Sequence, residues 1–371
     1  VVKNAWSKGM LFRGFEIILK DRDPRDAPIV TQRICGVCPA EHALASSQCL
    51  DAAFGANVPD NARIMRNLVA GANFVQSALL HFYHLAALDY LDIMAIANYA
   101  GNDPKLLAVK DKIVSLVKAG DTAPLTPRYE PDAFSLNDPA TVTEAVWQYL
   151  QALEIRKRAQ EMLAIFGGKM PHHATFVPGG ITEKVDAQKI ADFKSRLDEI
   201  TDFVKKVYLP LVLHLGTGPL KPLHELKVGH GHGNFISYGM FDLGKSGDYT
   251  NRYCKSGVIT APDITKVDPF DPTKLMEAVK YSWYADECGG LHPSEGKTIP
   301  APKKEGAYSF VKAPRYDGKP REAGALARML ATQAPEFMKI VTTIGAWPSA
   351  VARHAARAWE CLYVCQGMQK W

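Results

Sequence analysis

The chain has 371 residues, of which 47% are hydrophobic and only 22% charged, a balance that supplies a sizeable buried core and excludes an intrinsically disordered chain. Its 44 basic and 39 acidic side chains leave a net charge of +5, and the densest basic cluster, Lys303-Lys304, sits in a Pro-rich stretch, so nothing suggests nucleic-acid binding. No run of about 18 uncharged apolar residues occurs; the best, residues 85–97, is broken by Asp89 and Asp92, so no transmembrane segment is expected.

Residues 11–30 join an apolar stretch (Phe12, Phe15, Ile17, Ile18, Leu19) to a charged run at 20–26, and read as a short element followed by a polar turn. From 61 to 99, Ile64, Leu68, Val75, Leu79, Phe82, Leu85, Leu88 and Ile93 recur mostly at three- and four-residue steps, which predicts one almost unbroken helix. Further helices are predicted at 104–119, 140–166 and 186–215. Asp138-Pro139 and Gly167-Gly168 act as start and stop signals for the second of these.

Between 216 and 307 Gly, Pro, His and Tyr become dense, and loops with short β-like runs such as 234–238 are expected. Helical character returns at 322–332 and again from about 335 to the end, with Pro348 as a break. The fold class is mainly α: a bundle of long helices with a smaller β-containing, irregular part. Val1 is not an initiator Met, no secretory leader pattern follows it, and the last helical run stops abruptly at Trp371. Both ends are therefore expected to continue.

Seven cysteines, at 35, 38, 49, 254, 288, 361 and 365, are too few and odd in number for a disulfide framework. Cys35-Gly36-Val37-Cys38 is the sharpest local feature. Two cysteines three apart can place both sulfurs on one soft metal, and Gly36 allows a tight turn between them. His42 follows Cys38 by about one helical turn, within reach of a ligated sulfur. From the residues alone a metal site, a redox dithiol and two inert thiols all remain open, although no βαβ pattern surrounds the pair as the redox reading would require. A closed zinc site lacks two further ligands. Cys361 and Cys365 read as small hydrophobes on a buried helix face. His81 and His84 read as a hydrogen-bonded core pair, and the Gly229–Gly233 stretch, with His230 and His232, as a flexible loop. Gly167-Gly168-Lys169 is not a phosphate loop, because Leu163 and Met170 stand where Gly and Ser/Thr are needed.

Taken together these strings resemble the large, catalytic subunit of nickel–iron hydrogenases, in the respiratory uptake branch and its selenium-containing relatives. The motif Arg-x-Cys-Gly-x-Cys-x-x-x-His is complete at 33–42, flanked by Phe12-Arg13-Gly14-Phe15-Glu16 and Gln32. Similar strings occur at 81–89, 166–172 with Gly179-Gly180, 307–316, 326–328 and 353–357, so the likeness covers essentially the whole chain. It implies a single hydrogenase large-subunit unit over 1–371, with about 45 residues of the family falling before Val1 and about 130 after Trp371.

The resemblance implies reversible heterolytic cleavage of H2 at a nickel–iron centre held by four cysteines, with carbon monoxide and cyanide on the iron. Cys35 would be terminal on nickel and Cys38 would bridge nickel and iron. His42 would touch the bridging sulfur, Glu16 would hold a structural magnesium, and His172 would lie toward the partner's nearest iron–sulfur cluster. The implied partners are an iron–sulfur small subunit, which alone carries the clusters, and a cytochrome or another electron carrier. The implied location is the periplasm, with the cytoplasm as the alternative. The family's second cysteine pair, in an Asp-Pro-Cys-x-x-Cys-x-x-His string, is absent from these residues and Cys361/Cys365 do not align with it. A hydrogen sensor, a metal-free relative of the quinone-module subunit of respiratory complex I, and a cofactor-free immature form are the alternative readings.

Overall fold

The structure, a computed structural model, describes residues 4–121, 123, 133–227, 229–345 and 348–371. Helices dominate it. Two short helices, α1 (Phe15–Leu19) and α2 (Ala27–Thr31), lead through a 3₁₀ turn at Gln32–Ile34 to α3 (Pro39–Phe54) and α4 (Asp60–Leu79). Then come α5 (Pro104–Ala119), α6 (Pro139–Gly167), α7 (Ala187–Phe203), α8 (Leu209–Thr217) and α9 (Lys221–Glu225). The chain closes on α10 (Ala325–Thr332), α11 (Pro335–Ile344) and α12 (Ala350–Lys370). Capping explains several starts. Asp138 accepts the Thr141 N–H at 2.8 Å with Pro139 at the first helical position, and Asp103 and Asp186 cap α5 and α7 in the same way.

The expected β-containing part lies between α9 and α10. It holds a three-stranded antiparallel sheet of β3 (Phe235–Ser237), β6 (Gly257–Thr260) and β7 (Asp263–Asp268), ordered β3-β6-β7. Two two-stranded pairs accompany it, β4 (Met240–Asp242) with β5 (Arg252–Cys254) and β8 (Leu275–Ala278) with β9 (Ala313–Tyr316). A further hairpin, β1 (Phe176–Val177) with β2 (Gly180–Ile181), follows α6. Among the described residues no helix is long and apolar enough to cross a membrane.

One expectation fails. The predicted helix over 61–99 is regular only to Leu79, then widens to a π-helical pattern over Leu80–Ala86, tightens to 3₁₀ over Ala87–Tyr90 and breaks at Leu91. There the backbone leaves the helix to meet an incoming segment: Asp92 N–H bonds the Leu136 carbonyl at 2.9 Å, and Leu136 N–H bonds the Tyr90 carbonyl at 2.7 Å. The Asp92 carboxylate then starts a 3₁₀ helix at Ile93–Asn98 by accepting the Met94 N–H. Apolar periodicity survives the break because it reports burial rather than the hydrogen-bonding pattern. The region predicted as one helix at 186–215 also carries a π-helical insertion, Val204–Tyr208, just before Pro210, which has no N–H to continue an α ladder.

The core is organised around α4. α6 packs along it, and α3 and α12 close further sides. Encirclement buries α4 so completely that Arg66, Asn67, Asn73 and Gln76 lie inside with Val69, Ala70, Val75 and Leu79. Each of those polar side chains must find a partner or carry an uncompensated desolvation cost. Arg66 meets Asp51 of α3 at 2.6 Å and bonds the Val177 and Gly180 carbonyls, while Asn67 bonds the Asp242 carbonyl at 2.8 Å. Asp51 also accepts the Gly179 N–H at 2.7 Å and the Ser246 hydroxyl at 2.6 Å. Four separate segments are thereby tied to one helix.

Burial opposes ionisation of Asp51, but the bonds from Arg66, Gly179 and Ser246 outweigh it and hold its pKa below the ordinary carboxylate range. Asp51→Ala should therefore lower the unfolding free energy by about 3–5 kcal/mol, because it strands a buried guanidinium. The stabilisation should be complete above the ordinary carboxylate pKa of about 3.9 and be lost as pH falls through the lower folded-state value. Urea unfolding against pH checks both; a flat acid limb in the native protein would contradict the assignment.

Candidate metal centre

The Cys35–Cys38 loop bridges the 3₁₀ turn at Gln32–Ile34 and the first turn of α3. Cys38 is the residue before helical Pro39, so the thiol stands at a helix N-terminus. The loop folds back on the first sulfur: the N–H groups of Val37 and Cys38 both approach Cys35 Sγ at 3.4 Å. His42 lies one turn into α3 with Nε2 3.8 Å from Cys38 Sγ, the juxtaposition that the spacing predicted. Burial lowers the His42 pKa, so the imidazole stays neutral near pH 7.

The two thiols differ electrostatically. Burial raises both, but the Cys38 N–H and thiol and the Val37 N–H reverse this at Cys35 and bring its pKa below the ordinary thiol value. Burial, the neighbouring Cys35 sulfur and Glu41 push Cys38 up to about 12.

The loop is held from three directions. Arg13, ahead of α1, donates to the Ile34 carbonyl at 2.9 Å and the Arg33 carbonyl at 2.6 Å. Gln32, fully interior, donates its amide to the carbonyls of Pro28 at 3.0 Å and His173 at 2.9 Å. From α4, the Gln76 amide donates to the Val37 carbonyl while its oxygen accepts from Arg156 of α6 at 3.2 Å.

His172, in a left-handed conformation (φ 59°) after Pro171, lies near the same turn. Burial, Arg33 and Lys169 lower its pKa against an opposing hydrogen bond at the Gln32 backbone. The structure thus brings His172 to the Cys35–Cys38 region through Gln32 and Arg33. Glu16 is exposed on α1, and its charge acts on Tyr284.

Among the described residues no three His, Cys, Asp or Glu side chains converge as a metal-binding group. Two sulfurs at one helix N-terminus, one receiving two peptide N–H groups and the other beside a neutral imidazole, nevertheless fit one side of a thiolate-held transition metal. The chain supplies half of the expected four-thiolate set. Cys361 and Cys365 are both fully buried on α12, as the hydrophobic reading required, and the described cysteines form no disulfide. His230 bonds the Lys227 carbonyl at 2.7 Å and His232 accepts the Asn234 N–H at 3.0 Å, local turn contacts in an exposed loop. The satisfied core pair expected at His81 and His84 is a correction. His84 reaches the Tyr149 carbonyl at 3.3 Å, but Nδ1 of both rings is buried without a partner, because the π-helical pattern turns them toward side chains from different elements.

Sequence reading missed Gln76, His173 and Glu41. Glu41, one turn into α3, accepts from Asn73 of α4 at 3.2 Å and faces the Arg328–Glu360 ion pair between α10 and α12. Burial raises its pKa to about 7, with Glu360 adding to the rise and Asn73 and Arg328 opposing it. The available signal was polar residues, Asn73 and Gln76, at core positions of an apolar helix.

A helical bundle that presents a paired-thiol loop at a helix N-terminus is the architecture of a metal-thiolate or dithiol protein. The comparisons decide between the two: the family model described as nickel-dependent hydrogenase matches residues 13–371, and the chain belongs to that family. It is 44% identical over 348 residues to the periplasmic NiFeSe hydrogenase large subunit of Desulfomicrobium baculatum, covering 91% of this chain and 61% of that protein. With the hydrogenase-2 large chain of Escherichia coli K12 it shares 33% identity over 364 residues, 89% of this chain and 63% of the relative. The fold is similar to the reduced Ni-Fe-Se hydrogenase of D. vulgaris Hildenborough, with a TM-score of 0.82 and 41% identity over 98% of this chain and 72% of that one. The chain thus spans about three fifths of the length of these curated relatives.

In the reduced, chelator-treated protein, alkylation at pH 7.5 should label Cys35 well ahead of Cys38, with Cys254, Cys361 and Cys365 protected by burial. Peptide mapping reads the order, and equal rates at Cys35 and Cys38 would contradict the electrostatic asymmetry.

Proposed function

We propose that residues 1–371 form one unit of the large subunit of an uptake-type nickel–iron hydrogenase that cleaves H2 reversibly. The observation that carries this reading is the Cys35–Cys38 pair, with His42 beside it, inside a chain that matches the nickel-dependent hydrogenase family over 13–371. In this reading Cys35 would be the nickel ligand and Cys38 would be shared between nickel and an iron carrying carbon monoxide and cyanide, and Glu16 would hold a magnesium ion. When bound, the bimetallic group would supply the chemistry for heterolytic cleavage of H2, which overall yields two protons and two electrons.

The chain's own residues orient and protect that position. Arg13 and Gln76 hold the loop carbonyls, so the Val37 and Cys38 N–H groups stay aimed at Cys35 Sγ. His42 keeps a neutral ring against Cys38 Sγ, where Nε2 accepts from the thiol or, as the other tautomer, donates to a thiolate. Glu41, with a pKa of about 7, can accept and return a proton at its carboxylate in the first turn of α3.

Electrons leave through a separate iron–sulfur small subunit, since the seven cysteines at 35, 38, 49, 254, 288, 361 and 365 are not spaced as a cluster motif. His172, on the far side of Gln32, faces that partner's nearest cluster, and a cytochrome or another carrier receives the electrons. The named periplasmic relative supports a periplasmic location.

Cys35→Ser and Cys38→Ser should each abolish nickel binding together with H2-dependent dye reduction. The infrared bands of iron-bound carbon monoxide and cyanide, expected in the purified native protein, should vanish with them. Full nickel occupancy and turnover in either variant would overturn the ligand assignment. Glu16→Ala should weaken subunit assembly more than it changes the spectrum of whatever centre remains, as read by gel filtration of the complex; an undisturbed complex argues against the magnesium role.

A further inference from the structure

Away from the thiol loop, the two π-helical segments meet over α12. His81 and Phe82 belong to the first, Tyr208 closes the second, and His354 and Arg357 stand on α12. The rings are in contact: Phe82 and Tyr208 have centroids 5.2 Å apart, Phe82 and His354 5.4 Å, and His81 and His354 5.9 Å. π-helical turns cost backbone geometry and recur at functional sites, so two converging on one cluster mark the place.

The cluster holds several buried polar atoms without a partner, and no carboxylate is bonded to it among the described residues. The Tyr208 hydroxyl, on a fully buried residue, has no hydrogen-bond partner, and neither do Nδ1 of His81 and Nδ1 of His354. His354 Nε2 lies 3.3 Å from the Tyr90 hydroxyl, so an imidazole that accepts there carries its proton on the unpartnered Nδ1.

Arg357 makes no hydrogen bond or ion pair among the described residues, although burial depresses its pKa. The other arginines around it are matched. Arg353 forms a two-pronged bond to Glu322, at 2.7 Å on each prong, and both oxygens of Glu360 are taken by Arg328. Burial and the Arg357 charge push His81 down to about 4, and burial, Arg357 and His81 push His354 down to about 3. Arg357 is thus the one charged member of the cluster, and both rings stay neutral, each able to donate from whichever nitrogen carries its proton.

We infer that His81, Tyr208, His354 and Arg357 form a binding site for a carboxylate anion. A flat guanidinium takes a carboxylate on two parallel N–H bonds, and the remaining donors cap its oxygens. The carboxylate comes from a free small acid or from a side chain brought in on assembly, and the two sources separate experimentally. The site uses neither Cys35 nor Cys38 and does not rest on the proposed reaction.

The test is thermal unfolding with sodium formate exchanged for sodium chloride at constant ionic strength. It is run on the chain and on the complex that purifies with it. Formate should raise the chain's Tm saturably. Arg357→Met should lose the formate response, and Tyr208→Phe should weaken the apparent affinity about tenfold. Should Arg357→Met fail to fold, Arg357→Lys, which keeps the charge but not the planar fork, should retain a weakened response. A response in the chain that disappears in the complex assigns the carboxylate to a side chain of the assembly, and one kept in both assigns it to a free acid. The inference is overturned if the chain shows no saturable response, or if Arg357→Met responds as the native protein does.

Discussion

A helix packed against α3, α6 and α12 makes every unpartnered polar side chain costly, and α4 places four of them in the interior. Desolvating an arginine or an amide costs several kcal/mol when nothing compensates, so each of these residues fixes whatever it bonds. Arg66 and Asn67 fix the α3 carboxylate, the β1–β2 hairpin and the β4 carbonyl at one end. Toward the other end Asn73 and Gln76 reach Glu41 and the Val37 carbonyl. One helix thereby sets the position of α3 and the conformation of the loop in front of it.

The same constraint shapes the thiol pair. A loop pulled into place by its carbonyls points its N–H groups the other way, and here two of them converge on Cys35 Sγ. Cys35 is therefore the sulfur prepared for negative charge, while Cys38, deeper and closer to Glu41, resists it. Two equivalent residue types three positions apart become chemically distinct because the backbone between them is asymmetric. That asymmetry agrees with the unequal terminal and bridging roles proposed for them.

Local departures from regular helix carry much of the remaining interest. The π-helical turns after α4 and α7 rotate their side chains relative to an ideal helix, so residues evenly spaced in sequence end in different surroundings. His81 and His84 show the consequence, with one ring packed toward α12 and the other against Tyr149 of α6. Buried polar atoms without partners collect where those turns meet.

Much of the architecture was legible in the sequence. α5 and α6 begin at Asp-Pro steps, and the β-containing part lies where Gly and Pro become dense, because capping and turn chemistry act over three or four residues. The Cys35–Cys38–His42 geometry was legible for the same reason, since a turn and one helical turn span it. The break at Leu91 was not legible, because the competing partner, Leu136, is remote in sequence and apolar periodicity continues through the break. Nor was the hold of Gln76 on Val37, or the meeting of His81, Tyr208 and His354, since each joins elements separated by dozens of residues or more. Local steric and hydrogen-bonding rules determine where helices start and which thiols share a loop. Only tertiary packing decides which buried polar groups meet and which are left waiting for a partner.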